Sequence, residues 1–275
     1  MNTKSFFMTM VLSFGLIVSH VNAQVKYEME ITYSASYGIK KVTKKLGEDL
    51  QQLQIAADGR SRYYSIWSER NDFVMDSLAN AGIDPMTMIQ ERKRLGVHTG
   101  QAYQIYKNIP DKNKLTYVDK FFEELYYVED IPKINWQMEE GDTIIAEYPC
   151  QKATGFWRGH KWTVWFTMDI PVSEGPWKLG GLPGLIMKAS ENSEHYSFTC
   201  VGISKANDKL FNLPDTKKMT KSTFKKIQEL TEMGVNDIRG MLQNTLGIDP
   251  GEIKDQNGEV IKMEKVELIF IEDQD

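Results

Sequence analysis

The chain has 275 residues, with 33 Lys and Arg against 38 Asp and Glu, for a formal net charge of −5. That mildly acidic balance argues against non-specific nucleic-acid binding. Hydrophobic residues make up 41%, enough for a substantial core, and beyond residue 23 no run is apolar enough to cross a bilayer as a helix.

Residues 1–23 read as a signal peptide. Lys4 supplies the positive start, Phe6 to Val18 an apolar run, and Val21-Asn22-Ala23 a small-residue cleavage site. Cleavage after Ala23 would release a chain starting at Gln24, exported to the periplasm or outside the cell. No Cys stands at the cleavage point, which argues against a lipoprotein anchor.

From Val25 to Tyr37, apolar and polar residues alternate with period two, predicting a long half-buried strand. Leu50–Ala56 and Arg62–Trp67 flank Asp58-Gly59, a hairpin signal. Alternation fails over residues 69–94, where Pro85 breaks the segment, and short helices or a long excursion are expected. Strand patterns return at Ala102–Ile109, Lys114–Phe122 and Leu125–Glu129. Thr143–Tyr148 and Gln151–Trp157 read as short strands. In the next run Trp162, Val164, Phe166 and Met168 share one face. Leu185–Ala189 pairs with His195–Ile203, and helical spacing appears over about residues 220–246. Asn257-Gly258 signals a last hairpin. The fold class is mainly β. A single antiparallel curved sheet, or a partly open barrel or sandwich, carries helical insertions at about 69–94 and 220–246. Residues 24–275 form one domain, since no repeat or linker divides them.

Residues 175–189 carry the strongest local signal. Pro176 and Pro183 fix φ, and Gly175, Gly180, Gly181 and Gly184 permit unusual backbone paths. Leu182-Pro183-Gly184-Leu185 fits a type II turn with Gly at its third position. A compact surface loop packed by Trp177 and Leu179 is expected.

Gly181-Leu182-Pro183-Gly184-Leu185-Ile186 resembles the signature of the GLPGLI family of secreted Gram-negative proteins of unknown function. Tyr148-Pro149-Cys150-Gln151 and Phe156-Trp157-Arg158-Gly159-His160-Lys161-Trp162 resemble the blocks before it. His160 departs from the arginine that is common there. The resemblance implies a secreted, β-rich envelope protein and carries over no catalytic residue.

The residues themselves favour binding over catalysis. Trp157, Trp162, Trp165 and Trp177 are interleaved with Arg158, Lys161 and Lys178, as at recognition surfaces. Arg158, His160, Trp165, Trp177 and Lys178 are therefore the candidate binding surface, with Gly181 to Ile186 as scaffold. The partner would be a small ligand or another envelope protein. The alternative is a glycosidase-like hydrolase using Asp169 and Glu174, which needs both carboxyls on one cleft. Ser173 lies in no nucleophile elbow, no metal-ligand spacing occurs, and no cofactor is expected. Cys150 and Cys200 would form a disulfide in an oxidising compartment, worth about 4 kcal/mol in the chain-entropy model; two buried thiols are the other reading.

Overall fold

The computed structural model describes residues 24–40, 45–120, 124–212, 217–223 and 225. The expected signal peptide and last hairpin lie outside the described residues, as does nearly all of the helical region expected over about 220–246. The chain starts with β1 (Gln24–Lys40), β2 (Lys45–Ile55) and β3 (Ser61–Ser65). A helical pair follows, α1 (Ile66–Asn80) and α2 (Pro85–Arg94). Then come β4 (Gln104–Lys107), β5 (Lys114–Lys120), β6 (Glu124–Asp130) and β7 (Gln137–Ile145). The rest is β8 (Tyr148–Trp157), β9 (His160–Thr167), β10 (Leu185–Glu191), β11 (Tyr196–Asn212) and β12 (Lys217–Lys218).

These strands form one sheet in the order β12-β6-β5-β4-β3-β2-β1-β11-β10-β9-β8-β7. It is mainly antiparallel and does not close into a barrel, since β12 and β7 stay at opposite ends. The seam is β1 against β11, which pair from Gln24↔Asn212 to Tyr37↔Tyr196. β1 earns its place by alternation: Ile31, Tyr33 and Ala35 are buried while Ser34 is exposed. Ile31, Tyr33 and Leu53 from one arm share a core cluster with Trp162, Phe166 and Ile186 from the other. The sheet therefore curls around a common interior.

Several local expectations change. Thr143–Tyr148 is not one strand, because Ala146 and Glu147 make a tight turn at φ 47° and 71° between β7 and β8. No Gly or Asn marks it, so the sequence hid it. Trp67 belongs to α1, whose first turn is capped by Ser65 accepting from the Ser68 N–H at 3.0 Å. Pro85 opens α2 at its first turn rather than breaking a helix. Met168 is 55% exposed, because β9 ends at Thr167 and the alternation stops there.

Candidate functional site

The connector from β9 to β10, residues 168–184, lies at the surface only near its ends. Every residue from Glu174 to Gly180 is buried, and Trp177 and Lys178 are each 1% exposed. The segment enters the curl and fills it. Trp177 stacks on Trp162 at 5.8 Å and tilts against Trp157 at 5.2 Å. The Trp136 indole N–H donates to the Gly180 carbonyl at 2.8 Å, and the Tyr33 hydroxyl to the Ile186 carbonyl at 2.8 Å.

The glycines let this plug seat. Gly184 does not take the left-handed φ of a type II turn; Gly181 does, at φ 89°. Gly184 is needed for space instead: a Cβ there would lie 2.0 Å from the Thr167 carbonyl oxygen. The predicted turn is thus replaced by a close backbone approach.

Two buried ion pairs hold the plug to the sheet. Lys107 Nζ, on β4, donates to Glu174 Oε2 at 2.7 Å and to the Leu179 carbonyl at 2.7 Å. Ser61 Oγ donates to Glu174 Oε1 at 3.2 Å. Lys178 Nζ donates to Glu129 Oε1, on β6, at 2.6 Å and to the Tyr127 hydroxyl at 2.9 Å. Glu129 also meets Arg158 at 3.0 Å and Lys221. Burial alone would raise the Glu129 carboxyl, but Lys178 and Lys221 outweigh it and hold it at about 2. Burial draws the Lys178 amine down to about 7. The 2.6 Å carboxylate contact and the Tyr117 ring 4.8 Å from Nζ favour the charged pair at neutral pH.

These placements divide the candidate residues. Arg158, in the β8–β9 turn, and Lys178 meet at Glu129. His160 Nδ1 instead sits 3.4 Å from Glu191 Oε2. Trp165 is half-buried; alternation puts it on the face opposite Trp162 and Val164, with Lys152 Nζ 6.0 Å from its ring. Trp177 and Lys178 are interior, so the five do not form one exposed surface. The correction follows from Glu129, which gives Lys178 a partner inside. Asp169 is exposed, whereas Glu174 is buried and ion-paired, so these acids do not share an open cleft. Cys150 and Cys200 are separate buried thiols rather than a disulfide. Their Sγ atoms approach the Tyr148 carbonyl at 3.4 Å and the Gly202 carbonyl at 3.7 Å. Among the described residues no His, Cys, Asp or Glu cluster is arranged to hold a metal ion.

Sequence reasoning missed a second polar region inside the curl. Tyr103, Tyr117 and Tyr127 form a stacked ladder, with centroids 5.6 and 5.3 Å apart. Lys178 caps its Tyr117–Tyr127 end. At the other end, the carboxylates of Asp49 and Asp119 both act on the Tyr103 phenol, and Gln51 Nε2 donates to it at 3.4 Å. Asp49 accepts from Ser65 Oγ at 2.7 Å and the Gln101 N–H at 2.9 Å, yet burial still raises it. Burial pushes Asp119 up to about 7. Tyr103 also lines a surface recess with Tyr64, Ser68, Gln101, Gln104 and Glu124. The missed acids had a signal: Asp49 is in phase with Gln51 and Leu53, Asp119 with Leu115 and Tyr117, and Glu129 with Leu125 and Tyr127.

A curled antiparallel sheet filled by its own Pro/Gly connector is thus the class of protein defined here. Residues 158–188 match the model of a family described as a protein of unknown function (Porph_ging). The match runs from the β8–β9 turn through the plug into β10. No curated protein matches the chain. Solved structures of PNGF-II in P21 and C2 space groups are similar at 15% and 16% identity, with TM-scores of 0.46 and 0.48. The similarity covers 73% of this chain in each case, and 33% and 32% of those chains, so this chain spans about a third of their length.

Proposed function

We propose that the chain is an exported, GLPGLI-type binding protein that takes a small hydroxyl-rich ligand, of saccharide character, in the recess at Tyr103. One observation carries this reading: Tyr103 lines the recess with Tyr64 and the polar side chains of Ser68, Gln101 and Gln104, while Gln51 Nε2 donates to its hydroxyl at 3.4 Å. Aromatic faces beside donors and acceptors of both kinds suit a neutral polyol better than a strong ion. The nearby charges are largely neutralised, Glu69 by Arg62 at 2.8 Å and Asp72 by Lys120 at 3.3 Å. Export to the periplasm or beyond rests on the Lys4 to Ala23 pattern.

A neutral-oligosaccharide array probed with the purified protein and with Tyr103→Leu tests the reading. The expected result is retention of a subset of glycans by the parent protein and loss in a variant that keeps its circular dichroism spectrum. No retention by the parent, or equal retention by both, counts against it.

A further inference from the structure

Strand β7 ends the sheet, and in the sheet order it pairs with β8 alone among the described residues. Residues 137–142 are all exposed, as is Ile144. An end strand turns alternate peptide N–H and C=O groups outward, a template for another strand. Proteins blunt such edges with charged side chains, lysine above all, with proline or with bulges; β7 has no Lys or Pro, and its own charges are all acidic. Its one interruption is a bulge at Gly141, between Glu139 and Asp142. Beyond the bulge, Asp142 to Ile145 pairs regularly with Gln151 to Tyr148 and, among the described residues, has no strand on its other side.

The side chains around this edge are apolar and acidic together. Met138 is 56% exposed, Ile144 75% and Phe156 69%. Glu139, Glu140, Asp142, Glu147 and Asp169 are exposed carboxylates. Among the described residues, Glu140, Asp142 and Asp169 enter no ion pair. Inward of the straight part of the edge, a recess is lined by Asp142 of β7, Pro149, Cys150 and Gln151 of β8, and Met168 and Asp169 just after β9. It has carboxylates for a charged head and Pro149 and Met168 for an aliphatic stem, which suits a Lys or Arg side chain.

We propose that the Asp142–Ile145 edge docks an extended segment of a partner protein by strand addition, with a basic side chain of that segment seated in the recess beside Asp142 and Asp169. Backbone pairing supplies affinity, and the recess supplies specificity. Charge complementarity selects this occupant: a second copy of the chain would bring the same acidic edge, and like charges would face each other. This site is separate from the Tyr103 recess, and neither depends on the other.

Fluorescence anisotropy with the full-chain protein tests the proposal, using labelled peptides of alternating Lys-Val and alternating Glu-Val. The Lys-Val peptide should bind, and its affinity should fall as salt rises. Binding should weaken about tenfold in Asp142→Asn/Asp169→Asn. Thermal melting checks that this variant is folded, as expected for two substitutions at exposed positions. Equal binding of the Glu-Val peptide, an unchanged affinity in the double variant, or no binding of either peptide would overturn the proposal. A dimer in sedimentation velocity that the Lys-Val peptide fails to dissociate would overturn it too, by assigning the edge to a second copy.

Discussion

Lys178 Nζ lies 2.6 Å from Glu129 Oε1 and, with its bond to the Tyr127 hydroxyl, ties the Pro/Gly plug to β6 across the interior. The lysine is 1% exposed, so its charge depends on that carboxylate. Lys178→Met should destabilise by about 3 kcal/mol, because it leaves Glu129 in a dry site with fewer partners. Adding Glu129→Gln should recover part of that loss. Urea unfolding of the two singles and the double measures the coupling, and strict additivity would show that the pair does not act as a unit.

The glycines of the plug should respond in a definite order. Gly184→Ala drives a Cβ to within 2.0 Å of the Thr167 carbonyl oxygen, where only backbone movement relieves it. A loss of about 3 kcal/mol or more, or failure to fold, is expected. Gly181→Ala has its nearest neighbour at 3.7 Å and suffers only from φ 89°. It should cost about 1 kcal/mol. Thermal melting of the two variants decides this, and the reverse order would contradict the seating described.

Trp177→Ala should act on the fold before it acts on any partner. The ring is buried against Trp157 and Trp162, and its removal should cost about 3–5 kcal/mol. Trp165→Ala, at a half-buried position, should cost less. Denaturant midpoints of the two variants would reveal the difference.

Stability should fall as pH rises through the range set by Asp119. Burial lifts its carboxyl from 3.8 to about 7 in the folded chain. Between those values the folded state keeps a proton that the unfolded state has lost, so unfolding gains ground as pH rises. Asp119→Asn should remove this slope and raise stability at pH 8 by roughly 2 kcal/mol. Glu129 works in the opposite sense. Its carboxyl is held at about 2, so its stabilisation is present above the usual glutamate range and disappears as pH falls toward 2. A stability profile from pH 3 to 9 for parent and Asp119→Asn would show both effects; an unchanged fall between about pH 4 and pH 7 in the variant would refute the assignment.

Both thiols are buried and, in the structure, unbonded. Burial raises each of them, Cys200 to about 11, so neither should react readily in the folded protein. A thiol reagent should count two groups in denatured, unreduced protein and almost none before unfolding. A count of zero after denaturation would establish a disulfide instead.

The strands were legible wherever one face is buried. β1, β9 and β11 follow from alternation in Val25 to Tyr37, Trp162 to Phe166 and the run from His195. The turn at Ala146-Glu147 was hidden because neither residue is a usual left-handed former. The plug misled for a physical reason: Lys178 and Glu174 read as solvated charges, and their partners Glu129 and Lys107 lie tens of residues away in sequence. Side-chain phase was the available clue. Asp119 and Glu129 fall in step with Leu115, Tyr117, Leu125 and Tyr127, and a charged residue in step with an apolar stripe faces inward.

The β1–β11 seam sets an order of events for the nascent chain. β1 is synthesised early, yet its partner starts at Tyr196 and ends at Asn212, after β2 to β10 have been made. Until then, the hydrogen-bonding rim of β1 that β11 will occupy has no mate. Joining the halves is a late, long-range step, slow by the topology of its contacts. Arrested translation products that stop short of Tyr196 are therefore the forms of this protein most in need of a chaperone.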